Sequence, residues 1–222
     1  VVAGVSGNGQ IELADAIAGL VKPAGGTVTL NGTDITSYSI RKRNLAGISY
    51  IPEDRHNVGL VMDYTLADNL ALKSYFKEPF SRKGVMHGEE FTAYGDRLID
   101  KYDIRSSQGN DTIVRSMSGG NQQKAIIARE IELGSSLTIF VQPTRGLDIG
   151  AIENIHKQII GERSKGKAIL LISLELDEVM NLADTIGVIY NGEIQKIADA
   201  GELTSSQVGE FMMGVGGRHE EK

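Results

Sequence analysis

The sequence predicts an α/β fold, a mostly parallel sheet covered by helices on both faces, and three observations carry that expectation. Apolar runs of strand length, at 1–5, 137–141 and 168–172, alternate with segments of helical period. Strands buried on both faces read as unbroken apolar runs, which is the pattern of a covered parallel sheet. The first run feeds a glycine-rich turn, Gly4-Val5-Ser6-Gly7-Asn8-Gly9, and then a helical pattern over 10–20 with Ile11, Ala14, Ile17 and Ala18 on one face. A second helical pattern, 122–133, opens behind Ser118-Gly119-Gly120.

Length and composition narrow the class. With 222 residues, one domain or one domain with a subdomain is expected. There is no cysteine, which excludes a disulfide framework and a thiolate zinc site. His56, His87, His156 and His219 lack ligand spacing and are expected at the surface. A net charge of −6 argues against a nucleic-acid backbone as main partner. No apolar run approaches the ~18 residues of a membrane span. No charged-then-apolar leader opens the chain. The start, Val-Val-Ala-Gly, reads like the middle of a buried strand, so a piece of something longer is expected; the tail, 214–222, is glycine-rich and then charged, and is expected to fray.

Along the chain, 25–32 reads as a strand ending in an Asn31-Gly32 hairpin turn, and 48–52 as another short strand followed by Glu53-Asp54-Arg55. Residues 65–102 turn helical and more polar, with Thr65 or Asp63 as cap, a loop at 76–88 and a second helix at 89–103. This section reads as a helical insertion between two parts of the α/β core. After the strand at 137–141 come Gln142-Pro143-Thr144-Arg145-Gly146-Leu147-Asp148, a helix at 152–164, the strand at 168–172, and Ser173-Leu174-Glu175. Strands at 186–190 and 193–197 flank Asn191-Gly192, a strong hairpin signal.

Two stretches bear on chemistry. A helix N-terminus presents unpaired N–H groups and partial positive charge, so bare glycine backbone leading into a helix can receive an anion such as phosphate. Ser118-Gly119-Gly120 fits this, and so does an ordinary helix start with Ser118 as N-cap. Gly4 and Gly9 stand where the phosphate-loop pattern G-x-x-x-x-G-K-[ST] wants its glycines, with strand before and helix after. Gln10 stands at the lysine position and Ile11 at the Ser/Thr position. Gln10 supplies no charge to β/γ-phosphates, Ile11 cannot ligate Mg²⁺, and Glu12 adds a carboxylate to the first turn. Such a loop is also compatible with a glycine turn that only packs strand on helix.

The whole order, phosphate loop, Ser118-Gly119-Gly120-Asn121-Gln122-Gln123-Lys124, strand, and Gln142-Pro143-Thr144-Arg145-Gly146-Leu147-Asp148, resembles the ABC-type ATPases, whose P-loop NTPase fold pairs a mostly parallel core with a helical subdomain. The Asn-Gln-Gln form together with Thr144-Arg-Gly-Leu-Asp148-Ile-Gly-Ala resembles importers that carry two ATPase domains in one polypeptide and serve monosaccharides or nucleosides. Gln142 to Glu153 and Pro52-Glu-Asp-Arg-His56 look closer to the nucleoside type, and to the second, C-terminal ATPase domain.

The resemblance implies roles. Gly4, Ser6, Gly7, Asn8, Gly9, Gln10 and Ile11 fall on Walker A, Glu53 on the Q-loop glutamine, Val141 on the Walker B aspartate, Gln142 on the catalytic glutamate, Asp148 on the D-loop and Leu174 on the switch histidine. Phosphate charge, metal ligand, water base and γ-phosphate contact are therefore all replaced at this domain's own ATP site, and no catalytic residue is assigned to it. Ser118, Gly119, Gly120 and Gln123 keep the signature motif, which in this family closes over ATP held by a partner domain.

The division implied is an ATP-binding core at 1–60 and 119–200, a helical signature subdomain at 61–118 and a C-terminal tail at 201–222. Residues 61–102 would face membrane permease subunits, with 53–57 as hinge. The expected cofactor is ATP, with Mg²⁺ at the partner's site and weak or absent binding at this one. The expected partners are an N-terminal ATPase domain of the same or a sister chain and the permease, with no nucleic acid, at the cytoplasmic face of the cell membrane. The competing readings are a non-catalytic scaffold of the same fold, the ATPase of a monosaccharide importer, and a soluble ABC ATPase of translation or repair, which the acidic balance and the replaced residues disfavour.

Overall fold

The computed structural model describes residues 1–216. In chain order it forms β1 (Val2–Ala3), α1 (Gln10–Ala18), β2 (Thr29–Leu30), β3 (Thr33–Asp34), α2 (Ile40–Ala46) and β4 (Ile48–Ile51). There follow α3 (Leu66–Ala71), β5 (Ser81–Arg82), β6 (Val85–Met86), α4 (Gly88–Lys101), α5 (Gly119–Glu132) and β7 (Leu137–Val141). The chain continues through α6 (Ile149–Ser164), β8 (Ala168–Ser173), α7 (Leu176–Leu182), β9 (Thr185–Tyr190), β10 (Glu193–Asp199) and α8 (Ser205–Met212). It packs as two compact units: residues 1–50, 136–142 and 158 onward, and residues 51–135 with 143–157.

The first unit is built on a six-stranded sheet of order β10-β9-β1-β8-β7-β4. β1 pairs in parallel with both β8 and β9, β7 runs parallel to β8, and β10 is antiparallel to β9. Both faces are covered, and the pleat of β1 shows how. Val2 packs with Ala14 and Ala18 of α1, while its neighbour Ala3 packs with Val179 of α7 and Val208 of α8. Successive side chains of a strand point to opposite faces, so a strand buried on both sides must be apolar throughout.

The largest fully buried side chain of this unit is polar. Arg43, 1% exposed, donates from Nη1 to the carbonyls of Ala16 (2.7 Å) and Ile17 (2.6 Å), and from Nη2 to that of Thr36 (2.8 Å). It thereby satisfies carbonyls at the end of α1 that the helix leaves unpaired. Gly19 caps that end at φ 87°, and a Cβ there would stand 2.9 Å from Arg43 Cδ.

In the second unit α3, α4 and α5 pack around Leu66, Leu70, Leu98 and Ile126, each buried. Thr65 caps α3 through its side chain, which accepts from Asp68 N–H. The expected division placed 119–200 with the ATP-binding core. By packing, α5 and residues 143–157 instead belong with the helical section, because the apolar face of α5 is buried there.

Other differences are local. α5 begins at Gly119, not Gln122, because Ser118 is already the N-cap and the two glycines continue the helix despite their poor propensity. α6 begins at Ile149, not at 152, since Asp148 Oδ1 accepts the N–H of Ala151 at 2.9 Å. The expected loop at 76–88 contains the hairpin β5–β6, turned by Lys83 (φ 49°) and Gly84 (φ 81°). The two Asn-Gly turns form as expected: Asn31-Gly32 and Asn191-Gly192 each take two positive φ values. α2, α7 and α8, of 7, 7 and 8 residues, are too short for their period to stand out. His56 is exposed, whereas His87 and His156 are half-buried. The expected fraying from 217 onward, with His219, lies outside the described residues.

Candidate functional site

In the first unit, register brings three of the expected positions to one end of the sheet. Ala3 pairs with Ser173, and Ile172 pairs with both Val2 and Val141. Gly4, Leu174 and Gln142 therefore leave the same end of three adjacent strands. Gly4 admits no side chain, since a Cβ would lie 2.7 Å from Ile189 Cγ2 and 2.9 Å from the Ile189 carbonyl. Gly9 (φ 97°) is the N-cap of α1 and supplies no side-chain acceptor, so the N–H groups of the first turn have no partner in the helix. Ser6 and Gly7 are exposed.

Two polar side chains of this loop, Asn8 and Gln10, bond to the chain's own backbone. Gln10, 1% exposed, donates from Nε2 to the Val5 carbonyl at 2.8 Å. Asn8 is held by the β9–β10 turn: its Oδ1 accepts Asn191 N–H at 2.9 Å and its carbonyl accepts Gly192 N–H at 3.0 Å. Ile11 packs against the apolar core, and Val141 is buried within it. Gln142, 7% exposed, takes φ 45° and donates its N–H to the Ile172 carbonyl at 2.8 Å. Leu174 is half-buried. The exposed glycine backbone and open first turn fit an anion such as a nucleotide phosphate. Ile11 and Val141, which stand at the positions expected for metal ligands, carry no donor atom.

In the second unit, Ser118, Gly120 and Asp148 come together. They line one cleft of about 350 Å³ with Asn121, Lys124 and Arg105. Ser118 is exposed, and its hydroxyl makes no capping bond to the helix backbone. Instead Asn121 Nδ2 donates to Ser118 Oγ at 2.9 Å, and Asn121 Oδ1 accepts Arg105 N–H at 2.9 Å. A Cβ on Gly120 would stand 3.5 Å from that of Ala151, so the two helix starts approach closely. Lys124 is paired with Asp103, whose carboxyl is held below its usual range by that hydrogen bond and charge. Gln123 does not join the cleft; it is 1% exposed, buried with the inner face of α5.

Glu53 lies in a neighbouring groove with Arg55 and Arg145. Arg145 Nη1 donates to Glu53 Oε2 at 3.4 Å, and Arg55 Nη1 donates to the Arg145 carbonyl at 3.2 Å. Burial pushes the Arg55 guanidinium down from its ordinary value.

The stretch expected as a hinge, 53–57, runs into a hydrogen-bonded π-helical turn, Arg55–Gly59, capped by Asp54. It is tied to α5 at both ends. Gln122 Oε1 lies 3.0 Å from His56 Nε2, and Arg129 Nη2 donates to the Gly59 carbonyl at 2.9 Å. Arg129 also pairs with Glu130 at 2.9 Å, and Glu130 with Lys73 at 2.7 Å. Burial pushes the Glu130 carboxyl up, but Lys73 and Arg129 together outweigh it and hold it low. Lys73 moves down as well: burial dominates, and its one carboxylate is offset by the nearby Arg129. Sequence reasoning missed Asn121, Arg129 and Glu130 as structural partners. The signal was there for the last two, charged residues on the apolar face of a helix, which are buried only when paired.

The ABC transporter family model matches residues 1–145. The chain belongs to that family. It is 49% identical over 213 residues to the guanosine import ATP-binding protein NupO of Bacillus subtilis, and 46% identical to the nucleoside import ATP-binding protein NupA of Lactococcus lactis. Each match covers 96% of this chain and 42% of the relative, so the chain spans less than half the length of either. A ribose import ATP-binding protein, RbsA of Lactococcus lactis, is 33% identical over 96% of this chain and 42% of its own. Among solved structures, the ATP-binding cassette MJ0796, in a dimeric post-hydrolysis state with ADP and Pi, superposes with a TM-score of 0.75 at 21% identity over 90% of this chain and 84% of its own. The fold is the P-loop ABC ATPase fold, α/β with a mostly parallel sheet and a helical subdomain. Among the described residues, no helix is long and apolar enough to cross a membrane.

Proposed function

We propose that this chain is the second ATPase domain of a nucleoside importer with two ATPase domains, and that it contributes its signature motif to ATP held by the partner domain. One observation carries the reading. Ser118 and Gly120 open onto a cleft beside Asp148, while the positions for metal and for water activation at this domain's own loop hold Ile11, Val141 and Gln142. Phosphoryl transfer depends on positioning and electrostatics. A site without lysine, metal ligand or carboxylate base retains only the backbone cradle, so it binds nucleotide weakly and does not hydrolyse it. Ser118, Gly119 and Gly120 close over phosphate in trans, Asp148 crosses the interface, and Mg²⁺ belongs to the partner's site. The family model, the nucleoside-import relatives at the higher identities and their greater length support this reading.

The same reading assigns the segment 61–102 to contact with permease subunits and the whole domain to the cytoplasmic face of the membrane. The test is Ser118→Arg in the intact transporter. ATPase activity is expected to fall by about two orders of magnitude, as when a transition-state donor is removed. Unchanged turnover would instead favour a non-catalytic scaffold. Import assays with guanosine and with ribose separate a nucleoside importer from a monosaccharide importer.

A further inference from the structure

We propose that Asn121 is a positioning residue that aims the Ser118 hydroxyl proton into the cleft. The inference rests on the reading that Ser118 contacts a phosphate held by the partner domain. It starts from a direction that cannot be reversed. A backbone N–H only donates, so the Arg105 N–H at 2.9 Å fixes the nearer atom of the Asn121 amide as Oδ1. The opposite amide assignment would set two donors face to face. With Oδ1 on Arg105, Nδ2 faces Ser118 Oγ at 2.9 Å and donates to it.

Ser118 has one hydroxyl hydrogen and two lone pairs. One lone pair is engaged by Asn121, which offers no acceptor on that side. A serine at an N-cap ordinarily uses Oγ to accept a backbone N–H from the first turn; here no such bond forms. The O–H hydrogen therefore points away from both the amide and the helix, toward the cleft that Ser118 lines. The relay runs Arg105 N–H to Asn121 Oδ1, Asn121 Nδ2–H to Ser118 Oγ, and Ser118 O–H outward to an acceptor. Phosphate oxygens are acceptors only, so a hydroxyl held as an outward donor meets them without reorganisation. The spacing that allows this is i, i+3 in the first turn of α5, which puts both side chains over the same end of the helix.

The experiment is a double-mutant cycle in the intact transporter assembly, with steady-state ATPase and its split into kcat and KM for ATP. The variants are Ser118→Ala, Asn121→Ala, Asn121→Asp and the two pairs with Ser118→Ala. In Asn121→Asp, Oδ1 still accepts Arg105 N–H, but Oδ2 now accepts the Ser118 proton and turns it inward. The expected result is a kcat reduced roughly ten-fold or more for Asn121→Asp, with KM little changed. Neither Asn121 substitution should add to the loss once Ser118 is alanine.

A kcat loss that persists undiminished in the Ser118→Ala background would overturn the proposal, since Asn121 would then act by charge or packing. Full activity of both Asn121 variants beside an impaired Ser118→Ala would also overturn it, while leaving the trans-signature reading intact. An active Ser118→Ala would sink that reading itself. An unchanged KM shows that the variants assemble, and Asn121→Asp, a favourable residue in a helix's first turn, carries the test if Asn121→Ala does not fold.

Discussion

The helix starts of α1 and α5 use the same backbone device and spend it differently. Both present unpaired N–H groups behind glycine, and neither has a side-chain capping bond. At α1 the nearby polar side chains bond to the chain's own backbone: Gln10 to Val5, and Asn8 to the β9–β10 turn. The first turn also carries Glu12, which disfavours an anion. At α5 the first turn holds no acid, and Asn121 donates to the Ser118 hydroxyl oxygen. On the proposed reading, only the second of these starts serves a phosphate during turnover. The difference lies in the surrounding side chains, which at α1 bond to the chain's own backbone and at α5 line an open cleft.

The largest expected effect tests how firmly the second of these starts is held. Arg129, Glu130 and Lys73 form a buried network at the far end of α5, and Glu130 is fully buried. Glu130→Gln leaves two cations without their carboxylate, and denaturant unfolding should show a loss of about 3–5 kcal/mol. The pH dependence has a definite sign. The folded carboxyl is held below its unfolded value of about 4.3. Its contribution is therefore present above that pH and is lost as pH falls through the folded value. The Gln variant should lack that acid-side slope.

Next in size is the exchange of roles. Ser118→Arg should reduce ATPase in the intact transporter by about 100- to 1,000-fold, equivalent to about 2.7–4 kcal/mol of transition-state stabilisation. Gln10→Ala should leave turnover close to wild type, because on the proposed reading the α1 start does not serve hydrolysis. A reversed outcome, with α1 sensitive and α5 indifferent, would break the comparison. Smaller again is a repair of the first start. Gln10→Lys with Ile11→Ser should tighten nucleotide binding to this chain by about 1–4 kcal/mol, the range of one charge pair in exposed to half-buried surroundings, read by calorimetry. Hydrolysis should not follow on the proposed reading, in which Gln142 replaces the water-activating carboxylate.

Much of this contrast was legible in the sequence, for reasons that can be traced. Strand runs such as 137–141 and 168–172 show themselves because burial on both faces leaves them almost wholly apolar. The Asn-Gly turns show themselves because two successive positive φ values demand those residues. The placement of Gln123 did not, because a run of Asn-Gln-Gln-Lys gives no sign of which amide lies inside; the structure buries Gln122 and Gln123 and leaves Asn121 and Lys124 on the cleft. The grip on Asn8 was illegible too, since it depends on a turn more than 180 residues away. The division of the chain by packing also departs from motif order, because α5 has Ser118-Gly119-Gly120 at its start and the Arg129–Glu130 pair at its end.

The smallest effect concerns that distant grip. Asn8→Ala removes the acceptor for Asn191 N–H and keeps the carbonyl that accepts Gly192 N–H. One hydrogen bond is lost and another remains, so stability should fall by only about 0.5–1.5 kcal/mol. The loop would nevertheless be held to the turn by one bond instead of two, and amide exchange at Gly7 and Gly9 should quicken. Turnover of the intact transporter should not change, because on the proposed reading the α1 loop does not serve hydrolysis. A drop in ATPase on loosening this loop alone would mean that nucleotide at α1 matters to the cycle, and the two helix starts would then differ in degree and not in kind.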